Sequence, residues 1–153
     1  MTNFKFFAII AFLSFSLNLA AQQRRVNTKD FHAAVAVKKN YKAVYQLNSE
    51  DDKKISATLK NINNALEDPR LAGKLEVELV VHGGGVVAFQ KNSPYEQQLL
   101  MLQKKGVLLA QCENTLKERN ITKSELFDFI SYVPSGNGEL IIRQDQGWAI
   151  IHP

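Results

Sequence analysis

The sequence predicts an α/β fold: a three-layer α/β/α sandwich around a mainly parallel sheet of about five strands. Three observations predict it. Short apolar runs alternate with segments of helical periodicity from residue 42 to the C-terminus. Strands that alternate with helices form βαβ units, which make parallel sheets covered on both faces. The runs also lack clean in–out alternation, as expected of strands buried on both sides. A length of 153 residues suits one such domain.

Residues 1–21 read as a secretory signal peptide. Lys5 supplies the positive start, Phe6 to Leu17 an uncharged apolar run, and Ala20 and Ala21 the small residues for cleavage near Ala21–Gln22. The run falls short of the roughly 20 apolar residues of a membrane span. An exported, periplasmic protein without stable membrane insertion after cleavage is therefore expected. No cysteine lies near the cleavage site, which excludes a lipid-anchored lipoprotein. Residues 22–40 read as a flexible basic leader carrying Arg24, Arg25, Lys38 and Lys39. The net charge of +4 is too small and too scattered for a nucleic-acid footprint, so no nucleic-acid partner is expected.

The domain is expected over residues 41–153. Lys42–Leu47 ("KAVYQL") is the first strand. In the helix that follows, Ile55, Leu59, Ile62 and Leu66 share one face, and Asp51 and Asp52 suit the positive end of its dipole. Val77 to Val81 form the second strand and lead into His82 and three glycines. The next helix has Ser93 as a candidate cap, Pro94 at its first position, Tyr95, Leu99 and Leu102 on its buried face, and Gly106 at its end. "VLLAQC" is the third strand, and "ENTLKERN" gives about two helical turns. "TKSELFDFI" restarts a helix through the capping box of Thr122 and Glu125. "YVPSG" is the fourth strand, "GELIIRQDQG" the last helix and "WAIIHP" the fifth strand.

Ligands of open parallel sheets bind beyond the carboxyl ends of the strands. The residues at those ends are Asn48, then His82 with Gly83, Gly84 and Gly85, then Cys112 with Glu113 and Asn114, then Ser135, Gly136 and Asn137. Candidate polar groups thus converge on one edge. Cys112 is the only cysteine, so no internal disulfide can form. A leftover thiol in an exported protein points to intermolecular pairing or a reactive group, or else to a small buried apolar residue. A helix opening after Cys112 lowers the thiol pKa and Glu113 opposes it, which leaves the direction open. His82 can pair with the thiolate, bind substrate or serve as a hydrogen-bonded structural residue. The glycines can bring backbone N–H groups to an anion or simply make a tight turn.

Other chemistries find no support. "HGGG" stands without a G-x-S-x-G nucleophile elbow, and the glycines match neither a P-loop nor a dinucleotide fingerprint. His32, His82 and His152 lack ligand spacing, so no metal and no cofactor are expected. No paired carboxylates meet at the site edge, which disfavours glycosidase chemistry.

The segments "NINNAL", "VELVVHGGGV", "KKGVLLAQCENTLKERNI" and "VPSGNGELIIRQDQGWAIIHP" together resemble the DsrE/DsrF-like family of small bacterial sulfur-relay proteins. The resemblance runs from about Tyr41 to Pro153. It implies a five-stranded parallel α/β/α fold, assembly into trimers or hexamers, and, in some members, a persulfide on a cysteine after the third strand. Cys112 falls in that segment. His82 and Asn114 also sit where such members look alike. The export signal departs from the better-understood members, which act in the cytoplasm. Two readings follow. In the first, a sulfur carrier or sulfurtransferase-like protein holds a persulfide on Cys112, with His82 assisting proton movement, and exchanges sulfur with donor and acceptor proteins. In the second, a non-catalytic module binds a small anionic ligand at the edge formed by Asn48, Gly83, Gly84, Gly85, Asn114, Ser135 and Gly136.

Overall fold

The computed structural model describes residues 28–153. The signal-peptide reading and the start of the leader lie outside the described residues. Two compact units divide between Ala34 and Val35. In the first, Thr28–Asp30 forms one 3-10 turn and Phe31 is exposed. The second, Val35–Pro153, contains the sheet. Residues 35–40 have no regular strand or helix, and the first strand starts at Tyr41.

Five strands, β1 (Tyr41–Leu47), β2 (Leu75–Val81), β3 (Leu108–Cys112), β4 (Ser131–Val133) and β5 (Ala149–Ile151), pair in the order β4-β3-β2-β1-β5. Every pairing is parallel. Four helices connect them: α1 (Asp52–Glu67), α2 (Glu96–Lys104), α3 (Glu113–Arg119) and α4 (Gly136–Asp145). The larger core joins Leu79 and Val81 of β2 to Ile55, Leu59 and Ile62 of α1 and to Leu99 and Leu102 of α2. Each fully buried aliphatic side chain there contributes about 1.5–3 kcal/mol. The other sheet face carries a smaller core, Val44, Val80, Ala110, Leu140 and Trp148, whose helical member comes from α4. The three layers are thus unequal.

Local signals account for most boundaries. Asp51 caps α1 by accepting the Lys54 N–H at 2.9 Å. Leu66, the last residue of the expected stripe, is only partly buried against the core. Ser135 caps α4 by accepting the Gly138 N–H at 3.2 Å, so the helix starts at Gly136, two residues before the expected start.

Three expectations are corrected. The glycine segment is not a bare turn: Gly83–Phe89 forms a 3-10 helix. Ser93 does not cap α2. Its hydroxyl donates to the Ala88 carbonyl at 2.9 Å and closes the end of that 3-10 segment, so α2 begins at Glu96. The Thr122–Glu125 capping box does form, but it closes only the 3-10 turn Lys123–Glu125. The chain then bridges Gln90 through Leu126, and the Phe127 N–H donates to the Phe89 carbonyl at 3.0 Å. Burial of Leu126, Phe127 and Ile130 against these residues outweighs local helix propensity.

Candidate functional site

Strand order brings β2 and β3 side by side. Val81 pairs with Gln111, so the next residues, His82 and Cys112, leave neighbouring strands together. With the loop that opens α4 they enclose a cleft of about 160 Å³, lined by His82, Gly83, Cys112, Asn114, Thr115, Glu118, Ser135 and Asn137. At about 30 Å³ per water, it holds the tip of a thiol or a short sulfur chain. Pockets for larger ligands begin near 300 Å³. Among the described residues, no lysine or arginine lines it, and Glu118 is its only carboxylate.

Cys112 keeps 5% of its surface exposed, so only a slender reagent can reach the sulfur. Burial pushes its pKa up. The Gly136 N–H, the Thr115 hydroxyl and the N–H groups of Thr115 and Asn114 push it down further, and the result lies below the ordinary thiol value. This answers the direction that composition left open. The donors favour the anion; the neutral thiol, a weak acceptor, makes no capping bond with the helix that follows it. Glu113 does not oppose the shift in the expected way, because its carboxylate pairs with Lys123.

Gly83 has φ +53°, a left-handed conformation suited to glycine. Its N–H donates to the Thr115 hydroxyl oxygen at 2.9 Å. That hydroxyl thereby keeps its own hydrogen for the sulfur. Gly83 therefore acts on Cys112 through Thr115, not by a direct amide contact. Gly84 and Gly85 do not line the cleft. Gly84 packs over the backbone of Asn48 and Glu50, and the Gly85 N–H donates to the His82 carbonyl at 3.0 Å. Asn48 also stands outside the lining, with its side-chain oxygen 3.4 Å from His152 Nε2. Asn114 and Ser135 line the cleft, while Gly136 approaches Cys112 and His82 through its backbone.

His82 is half-buried. Burial, and then the nearby His152, lower its pKa, which keeps the ring neutral at pH 7. Gln46 Nε2 lies 2.7 Å from His82 Nε2. With the amide donating, the neutral ring carries its hydrogen on Nδ1. Gly136 packs on the ring: a Cβ there would come within 3.0 Å of His82 Cβ and 3.2 Å of Cδ2.

Asn137, one of the strand-end candidates, lines the cleft, whereas sequence reasoning missed Gln46, Thr115, Gln111 and Glu118. Thr115 had a legible signal, since it stands three residues past a strand-end cysteine, where a capping side chain finds its donors. Gln111, fully buried on β3, donates to the Cys112 carbonyl at 3.0 Å and holds the strand end. Its role needs the fold. Among the described residues, no three His, Cys, Asp or Glu side chains gather as a metal site, and no helix is long and apolar enough to cross a membrane.

A parallel five-stranded α/β domain with polar groups collected at one sheet edge defines the class. The DsrE/DsrF-like family profile matches residues 42–153, and the chain belongs to that family. Among solved structures, it is similar to the protein of unknown function MTH1491 from Methanobacterium thermoautotrophicum, with 27% identity and a TM-score of 0.70, over 74% of this chain and 100% of that one. It shares its fold with the conserved protein of unknown function BT1422 from Bacteroides thetaiotaomicron, at 11% identity and TM-score 0.59 over 79% of this chain and 100% of that one. The ychN protein of E. coli shares it too, at 14% identity and TM-score 0.55 over 76% and 100%. No curated protein matches the chain.

Proposed function

We propose that the protein is a sulfur carrier of the periplasm in which Cys112 holds sulfane sulfur as a persulfide. The observation that carries this reading is the set of donors from Gly136, Thr115 and Asn114, which favour the Cys112 anion at the base of a small polar cleft. A thiolate, not a thiol, is the nucleophile. Cys112–S⁻ attacks the outer sulfur of a donor R–S–SH. A new S–S bond forms on Cys112, the donor S–S bond breaks, and the donor leaves as R–S⁻. In the second step an acceptor thiolate R′–S⁻ takes the outer sulfur and regenerates Cys112–S⁻. Neutral His82, in the same cleft, serves proton movement to and from the sulfurs.

The second reading, a non-catalytic module for a small anion, shares the same amides. It gains nothing from the described lining side chains, which include Glu118 and no lysine or arginine. Work outside the cytoplasm follows from the signal-peptide reading of residues 1–21. Assembly as a homo-oligomer, a trimer or hexamer, follows from the family resemblance. It draws support from exposed Leu108, Ile141, Ile142 and Ile150 on the side of the sheet that α4 crosses.

The test is the intact mass of the mature protein before and after exposure to polysulfide. A reducible gain of whole sulfur atoms is expected, absent in Cys112→Ser, which stays folded. Loading that persists in Cys112→Ser rules the mechanism out.

A further inference from the structure

Glu78 sits in the middle of the central strand, 2% exposed, on the face that meets α4. Burying a carboxylate costs free energy unless a partner compensates, and even a good partner often only breaks even against an apolar pair. The partner here is Arg143 of α4, whose Nε lies 2.6 Å from Glu78 Oε2 and 2.8 Å from Glu139 Oε1. The Arg143 guanidinium also stacks on Trp148, 4.5 Å from the ring centroid. Stability alone gives little reason for such a group in the centre of a sheet.

Its place relative to the cleft gives a better one. One face of β2 presents Glu78, Val80 and His82 in turn. One face of α4 presents Gly136, Leu140 and Arg143, spaced four and three residues apart. The two rows meet in reverse order. Arg143 pairs with Glu78, Leu140 and Val80 share the smaller core, and Gly136 lies on the His82 ring. The dimensions agree: seven helical residues rise about 10.5 Å, and four strand residues span about 13 Å. Side-chain reach covers the difference. The helix is therefore fixed along β2 at both ends. Its upper end supplies the Gly136 N–H to Cys112. An apolar contact at the lower end would let α4 slide along the sheet, whereas a slide that parted Arg143 from Glu78 would leave a buried carboxylate without its counter-charge, which opposes the movement.

We infer that Glu78 and Arg143 are positioning residues for Cys112: their buried ion pair sets the height of α4 on β2 and so holds the Gly136 amide against the sulfur. This rests on Cys112 as the reactive residue of the proposed function. Its test reads thiol ionisation with no sulfur donor present, so either idea can fail alone.

The experiment is the pH–rate profile of Cys112 alkylation by iodoacetamide in the folded full chain, with folding checked by circular dichroism. In Glu78→Gln the loss of a negative charge about 13 Å along the strands can by itself only lower the thiol pKa, whereas loss of positioning raises it, so the sign is diagnostic. The variant Glu78→Leu/Arg143→Met removes both charges and guards against a fold lost to one unpaired charge. The expected result is a higher alkylation midpoint in both, and a rate at pH 7 that falls by up to about tenfold for each unit of rise. Arg143→Lys recovers part of it. An unchanged or lowered midpoint in the folded double variant overturns the inference. So does an equal rise in Leu140→Ala, which loosens the same helix with the pair intact.

Discussion

Gly136 lies against His82 so closely that a Cβ would stand 3.0 Å from His82 Cβ, while the Gly136 N–H favours the Cys112 anion. One backbone unit thus touches both residues that the sequence singles out. Gly136→Ala must push the helix start away from the ring or the ring away from its place. Either shift weakens the amide's hold on the sulfur. Overpacking of this kind costs about 1–3 kcal/mol. The expected result is a modest fall in melting temperature with a rise in the Cys112 alkylation midpoint. A melting point and midpoint both equal to wild type would show that the contact constrains nothing.

Thr115 is nearly fully buried and joins the Gly83 N–H to the sulfur. Thr115→Val keeps the shape and removes the oxygen. It leaves the Gly83 N–H without its acceptor, a loss of about 1–3 kcal/mol, and takes one donor from the thiolate. Slower alkylation at pH 7 and lower stability in urea are both expected. Thr115→Ser restores the oxygen and is expected to recover the reactivity. Failure of serine to do so would show that the oxygen is not sufficient by itself and that the methyl group is needed to hold it in place.

Much of this was legible in the sequence. The fold class came from alternation of apolar runs with helical periodicity, and the rule that parallel strands end at one edge put His82 and Cys112 on the same edge; that β2 and β3 are neighbours, so that the two residues meet, came from the structure. What stayed hidden depends on contacts between distant segments. Gln46 meets His82 across 36 positions, because β1 and β2 are neighbours. Ser93 obeyed a nearby carbonyl and not the helix after it. The sequence leaves the glycines open between anion binding and a tight turn, and the structure puts them at the start of a 3-10 segment. Gly84 and Gly85 let the chain pass over the end of β1, and only Gly83 reaches the site. Sequence spacing alone does not reveal which way an amide points.

The two pKa shifts at the cleft give pH signatures of the same sign in two separate windows. Cys112 has a lowered pKa in the fold, so its contribution to stability is full above the unfolded thiol pKa of about 8.5. It is lost as pH falls through the lower folded value. His82 also has a lowered pKa, but it is neutral when deprotonated. Its folded state is therefore penalised as pH falls below the unfolded value of about 6.5, until the folded value has been passed. Chemical denaturation between pH 5 and 9 is expected to show stability rising with pH in both windows. Cys112→Ser should remove the alkaline slope, and His82→Asn the acidic one. A slope unchanged by its own substitution would place the titrating group elsewhere.

Gly85 offers the sharpest purely structural prediction. A Cβ at this position would stand 2.4 Å from the Leu47 carbonyl oxygen and 2.9 Å from its carbon. That carbonyl cannot simply move aside, because it accepts the His82 N–H at 3.0 Å and Leu47 is paired with Val81 in the sheet. Gly85→Ala must therefore break the end of the β1–β2 pairing or unwind the 3-10 segment, and both hold His82. A loss of about 3 kcal/mol is expected, at the upper end of the overpacking range. Gly106→Ala is the control. Gly106 has φ +89°, and nothing lies within 4 Å of the point where a Cβ would stand, so only the left-handed backbone opposes alanine there, at about 1–2 kcal/mol. Thermal melts of the two variants separate steric from conformational cost. Gly85→Ala is expected to melt well below Gly106→Ala and to shift the His82 ring resonances. If the two melt together, the close approach of Gly85 to Leu47 is not what fixes this corner of the site.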